Sequence, residues 1–196
     1  MDLNIYAKET ALVLIDMQNI AMQFYSNSNP EIVAKCKEMV DFAHKNGIKV
    51  IYTRLNRRAD VKDQTINRSE LNISLGSIEP APVYVEGTRE AAIIDDFKIE
   101  DRDFVVTKRR MSAVHDSGLE LILRANKIQT VILGGVATEF GVLATGIDLR
   151  DFDHDIIFAM DCCATCEKEI DAFCEKKIFP TIGRSLRNNE IKDITK

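Results

Sequence analysis

Apolar and polar residues recur along this chain in two different periods, and the changes of period divide it into short strands and longer helices. Ala11 to Ile15 (ALVLI) is an unbroken apolar run ending at Asp16, the pattern of a central parallel strand with a carboxylate at its C-terminal tip. Asn27, Ser28, Asn29 and Pro30 mark a loop and a helix start. From Glu31 to Lys45, the positions Ile32, Val33, Cys36, Met39, Val40 and Ala43 recur at helical spacing, and Asn46-Gly47 stops that helix. Ile48 to Thr53 (IKVIYT) is a second strand, so the chain opens as a right-handed βαβ unit with a parallel pair.

Arg54 to Ile78 is polar and weakly patterned, and too long for a simple connection: either a mobile lid or a stretch holding short helices. Its Arg54, Arg57, Arg58 and Arg68 are available to an anionic substrate, although a solvated loop is the commoner reading for any one of them. Pro80, Pro82 and Gly87 punctuate a turn region, and Glu90 to Asp96 fits a short amphipathic turn. Asp103 to Thr107 (DFVVT) is a third strand ending at Lys108, and Ser117 to Asn126 is a helix. Val131 to Leu133 is a short buried strand, which Gly134 and Gly135 are expected to end. Phe140, Leu143, Ala144 and Ile147 then return to helical spacing, so a helix starts near Thr138 or Glu139 and runs to about Asp151. Asp155 to Met160 is a strand ending at Asp161, Thr165 to Lys177 a helix, and Phe179 to Ile182 a short final strand. The alternation predicts one α/β domain over residues 1–196, with three α/β/α layers and a mostly parallel sheet of about six strands.

Composition narrows the function classes. With 26 basic against 31 acidic residues the net charge is −5, which gives no extended nucleic-acid surface. No apolar run reaches the roughly 20 residues of a membrane span, and MDLNIYAKET has neither the basic nor the apolar part of a secretory signal. The five cysteines (36, 162, 163, 166 and 174) are an odd number, which favours reduced thiols in the cytoplasm. Cys163-x-x-Cys166 admits a redox or zinc reading, but with no second such pair these cysteines are read as small buried packing residues. His44 is expected to be a helix-end cap or surface residue, and His115 and His154 structural. Neither a GxGxxG nor a P-loop is present, so a nucleotide cofactor is not expected.

Chemistry is concentrated at strand tips. Asp16, Lys108 and the turn before Gly141 should face one edge of the sheet, where open α/β sheets keep their ligands. The helix start near Thr138 offers unpaired backbone N–H groups suited to an anionic group. A lone carboxylate after a strand is as often a cap or an ion-pair partner. An Asp and a Lys converging on a helix start make a compact pair able to handle protons and anions.

The segments ALVLIDMQN (from Ala11), EGTREA (from Glu86), DFVVTKRRMSAVHDSGLELIL (from Asp103) and VILGGVATEFGVLAT (from Val131) resemble the isochorismatase-like hydrolases. That superfamily holds nicotinamidases, N-carbamoylsarcosine amidohydrolases and isochorismatases, and the resemblance spans roughly Thr10 to Ile182. It implies a helix-flanked sheet with an Asp–Lys–Cys triad in which Asp16 and Lys108 match the aspartate and lysine. Gly135 to Thr138 resembles the segment that carries a cis peptide and shapes the oxyanion hole. Gln18, Ala137 and Thr138 fall at substrate-binding positions.

The departure is at the nucleophile: Gly141 stands where the family cysteine would be, and glycine cannot form a thioester. The nicotinamidase metal ligands are also missing, with Arg54, Asn56, Arg58 and Asp60 in that region, so neither a metal nor another cofactor is implied. Glycine at this position resembles the isochorismatase branch. Its pattern implies that Asp16 protonates a vinyl ether, water attacks and pyruvate leaves, with Lys108 steadying the anionic substrate. An acid role requires a raised carboxyl pKa, which burial favours and Lys108 opposes. Ala137-Thr138-Glu139-Phe140 does not follow that branch's pattern, so the likeness is to the cysteine-less members generally. The expectation is a cytoplasmic homo-oligomeric hydrolase, dimer or tetramer, acting on a small carboxylated molecule. The alternatives are a silent ligand-binding or scaffold protein on the same fold and, less favoured, a redox protein using Cys163 and Cys166.

Overall fold

The computed structural model describes residues 3–25 and 28–196, so Met1, Asp2 and the anticipated loop residue Asn27 lie outside the described residues. Six strands form one all-parallel sheet in the order β3-β2-β1-β4-β5-β6. They are β1 (Thr10–Ile15), β2 (Lys49–Leu55), β3 (Phe104–Lys108), β4 (Thr130–Val136), β5 (Asp155–Ala164) and β6 (Arg184–Leu186). The α-helices among the described residues are α1 (Asn19–Tyr25), α2 (Ile32–Asn46), α3 (Glu70–Ser74), α4 (Leu119–Ala125), α5 (Leu143–Asp151), α6 (Lys168–Phe173) and α7 (Asn188–Ile194). None is long and apolar enough to cross a membrane.

Alternation along β1 sorts the core into two layers. Leu12 and Leu14 face one side with Ala21 of α1, Ile32, Cys36, Met39 and Val40 of α2, and Ile191 of α7. Ala11, Val13 and Ile15 face the other with Leu119 and Leu123 of α4 and Leu149 of α5. Every residue of β1 and β4 is buried, which explains why these strands read as continuous apolar runs.

Several expectations are corrected. Gly134 and Gly135 do not end β4 but lie inside it. Gly135 has φ +113°, and a Cβ there would fall 2.1 Å from the Ile15 carbonyl oxygen, so only glycine lets β4 close on β1 at this edge. The expected strand at Phe179 to Ile182 is a 3₁₀ turn, Phe179–Thr181, and the last strand starts at Arg184. Pro180 has no N–H to give a ladder, and the Phe179 ring stacks on Phe158 with centroids 3.7 Å apart. The helix expected over Thr165 to Lys177 is α6 followed by a π-type turn, Cys174–Ile178. Cys166 is exposed rather than packed, whereas the other four cysteines are buried. His44 is mostly enclosed, with Nε2 2.8 Å from Asp103 Oδ1 and Nδ1 3.2 Å from Glu100, so it ties α2 to the start of β3. Within Arg54 to Ile78 the short-helix alternative holds: α3 is capped by Ser69, whose Oγ accepts from the Asn72 N–H.

Candidate active site

The chain builds β2 and β3 on one side of β1, then β4, β5 and β6 on the other. The edge beyond β1 and β4 is therefore a topological switch point, where two connections diverge and leave a crevice. Asp16 follows β1 at this edge with φ +50°, a left-handed conformation that Asp tolerates better than most residues. The Thr53 hydroxyl at the tip of β2 accepts from the Asp16 N–H and donates to Asp16 Oδ1, both at 3.2 Å.

Lys108 ends β3, two strands from β1, or about 10 Å at ordinary strand spacing. Only a long side chain spans that gap. Its Nζ lies 2.7 Å from Asp16 Oδ2 and donates to the Met111 carbonyl at 2.6 Å. Lys108 is 2% exposed and Asp16 7%, so this ion pair is shut away from solvent screening. Burial pushes the Asp16 carboxyl above its ordinary value, and Lys108 and Thr53 oppose that shift without cancelling it.

β4 leaves the sheet through a cis Val136–Ala137 peptide and a π-type turn, Thr138–Val142, ahead of α5. The Phe140 and Val142 N–H groups both donate to the Ala137 carbonyl at 3.1 Å. This turn sets Gly141 against the ion pair: a Cβ there would lie 3.6 Å from Lys108 Nζ and 2.9 Å from Ile15 Cγ2. Asp16, Lys108, Ala137 and Gly141, named from the sequence, thus line one cavity of about 630 Å³.

Two expected binding residues are placed differently. Gln18 is fully buried, and its amide accepts from the Leu55 N–H (2.7 Å) and donates to the Leu55 and Ala91 carbonyls (3.0 and 2.6 Å). It fastens the end of β1 to β2 and to the 88–91 turn instead of facing the cavity. Thr138 is fully buried too, with its hydroxyl turned to Asp171.

The structure adds residues that the strand-tip reading passed over. Thr53 could have been found, because it stands at the C-terminal tip of β2 on the same edge. Tyr25, the last residue of α1, and Tyr84 also line the cavity, as does Arg57, one of the arginines the sequence offered to an anionic substrate. The Arg57 backbone is fixed by hydrogen bonds to Tyr84 and Glu86, and its Nε is buried with no hydrogen-bond partner. Burial lowers the guanidinium pKa from its ordinary value, and raises both phenols with help from the nearby Asp16 charge. Of the other arginines in this stretch, Arg54 donates to Thr107 and the exposed Arg58 pairs with Asp60. Among the described residues no three His, Cys, Asp or Glu side chains converge to hold a metal ion.

Comparison with known proteins agrees with this fold. The chain is 30% identical to the uncharacterized isochorismatase family protein YwoC of Bacillus subtilis, over 99% of this chain and 98% of that one. It is 23% identical to enterobactin synthase component B of Escherichia coli, covering 94% of this chain and 62% of that protein. An isochorismatase family protein from Burkholderia thailandensis superposes with a TM-score of 0.84 at 22% identity, over 95% of each chain. The isochorismatase domain model matches residues 10–184, and the chain therefore belongs to the isochorismatase family of hydrolases.

Proposed function

We propose that this chain hydrolyses a small carboxylated vinyl ether of the isochorismate type without a covalent cysteine intermediate. The observation that carries this reading is the buried Asp16–Lys108 pair facing position 141, where glycine leaves no nucleophile. In the proposed reaction the protonated Asp16 carboxyl gives its proton to the methylene carbon of the enol ether. The ether oxygen shares the resulting positive charge, and water adds to that oxocarbenium carbon. The hemiketal then collapses to pyruvate and an alcohol, and the proton lost by the water restores Asp16. Lys108 holds Asp16 in place and offsets the substrate's negative charge. Arg57, which lines the cavity, supplies a charge-assisted contact to a carboxylate through its guanidinium. Ala137 contributes wall surface, whereas Gln18 and Thr138 act behind it by holding the edge in shape.

The proposal is completed by a single domain over residues 1–196, placed in the cytoplasm as a dimer or tetramer. Leu71, Ile73 and Leu75 on and beside α3 are each at least 60% exposed, which favours burial against another copy. The deciding experiment is pyruvate release from isochorismate by the purified protein beside an Asp16→Ala control. Release that disappears in the control supports the reading. Saturable binding of isochorismate with no product would instead make the chain a silent binder.

Two further outcomes follow from the same site. Because burial holds the Asp16 proton above the ordinary carboxyl value, the acid form persists to higher pH than a free aspartate's. The rate should be highest below the raised pKa and fall tenfold per pH unit above it. A kcat/KM profile with no falling limb above the Asp16 titration would contradict an acid role. For Arg57→Ala, loss of one charge-assisted bond should raise KM by about 10- to 100-fold, with kcat much less affected. Arg57→Lys should recover only part of this, since lysine lacks the planar fork. Initial-rate kinetics on the three proteins would check it.

A further inference from the structure

The turn that carries Gly141 is held from outside the cavity. Thr138 follows the cis peptide and is fully buried, yet its hydroxyl points away from the Asp16–Lys108 pair and donates to Asp171 Oδ1 at 2.5 Å. Asp171 sits on α6, which packs against this turn, and it also accepts from the Thr165 backbone N–H just beyond β5. One carboxylate therefore connects the exit of β5, α6 and the turn leaving β4. No other element reaches the Thr138 side chain with a hydrogen bond among the described residues.

We propose that Asp171 is a positioning residue of the active site: its carboxylate fixes Thr138, and through it the placement of Ala137 to Gly141 against the Asp16–Lys108 pair. The surroundings of Asp171 make its charge matter. Glu139 on the same turn has a buried Oε2 with no partner, and Glu175 lies beyond α6; both repel the Asp171 charge. Cys163 of β5 is buried beside it, and Lys168 and Arg187 line the same small cavity of about 300 Å³. Burial and the two glutamates hold the Asp171 carboxyl above its ordinary value, while the Thr138 and Thr165 bonds oppose them. Ionised, Asp171 accepts the Thr138 hydroxyl. Protonated, it competes as a donor and loosens that contact.

The effect on rate rests on the vinyl-ether reading, but the effect on the turn does not, and two measurements keep them apart. In amide NMR of the whole chain, the Ala137 to Gly141 signals should titrate with a midpoint above the ordinary aspartate value. That midpoint should survive in Asp16→Asn and vanish when Asp171→Asn is added to it. Asp171→Ala and Thr138→Val should each displace these amides, and the double variant should displace them no further. With Asp16 already replaced by Asn, a titration that persists after Asp171→Asn, or amides unmoved in Asp171→Ala, would overturn the proposal whatever the substrate. With isochorismate as probe, Asp171→Ala should lower kcat by about tenfold through misplacement, with KM within about twofold. Asp171→Asn keeps an acceptor oxygen but not the charge, and should recover part of that loss. Equal damage in both variants would reduce Asp171 to general structural support and overturn the assignment. If the wild-type chain does not turn over isochorismate, the vinyl-ether reading fails and the amide measurement alone decides on Asp171.

Discussion

Asp16→Asn is expected to lower pyruvate release by about 10²- to 10⁴-fold, the usual contribution of a positioned proton donor. The same change should destabilise the fold by about 3 kcal/mol, because it leaves the Lys108 ammonium buried without its counter-charge. The two losses have different causes and a second substitution separates them. Adding Lys108→Met removes the stranded cation and replaces it with an apolar side chain of similar length. Most of the stability should return, apart from about 1 kcal/mol for the Met111 carbonyl that loses its donor. Activity should not return at all. Urea unfolding and a pyruvate assay on the single and double variants provide the cycle. Turnover retained in Asp16→Asn would end the acid assignment. A double variant as unstable as the single would show that the pair is not energetically coupled.

Gly141→Cys is the second informative change, because it introduces the side chain that the resemblance to the amidase branches would put at this position. The position is not an empty socket. A Cβ would lie 2.9 Å from Ile15 Cγ2 and 3.1 Å from the Val136 carbonyl oxygen, so Ile15 at the end of β1 must shift. Overpacking of this kind costs about 1–3 kcal/mol and should appear as a lower melting temperature. The introduced thiol would stand beside Lys108 Nζ, 3.6 Å from its own Cβ, which favours the thiolate. It should therefore react with iodoacetamide at neutral pH faster than the exposed Cys166, whose thiol burial and nearby glutamates push up. Vinyl-ether hydrolysis should drop by about tenfold or more as the side chain intrudes on the cavity. An inert thiol would mean that position 141 does not share its space with Lys108.

The parts of this site that could be read beforehand share a local signature. Asp16 and Lys108 each close an apolar run, so one-dimensional pattern was enough for them, whereas Gly141 was marked out by the family resemblance of the segment around it. Arg57 and Tyr84 have no such signature. Their meaning comes from the 57–86 backbone pairing that folds the irregular segment over the sheet edge, a long-range contact without periodicity. Gln18 and Thr138 show the converse. Their positions along the chain were informative, but which way each side chain turns depended on partners at Leu55, Ala91 and Asp171. Helix α7 went unanticipated for a related reason: only Asn188 and Ile191 of its seven residues are buried, too few to set a stripe in a polar stretch. The extension of β5 to Ala164 was hidden by Asp161, a half-exposed charge in the middle of the strand.

The strand order has a consequence for how this protein comes into being. β1 leaves the ribosome first, yet it lies at the centre of the sheet with one edge open until β4 arrives. During synthesis that bare edge is a template for foreign strands, and only the late insertion of β4 closes it. Gly135, which admits β4 to β1, is therefore as necessary to closing that edge as to shaping the mature crevice.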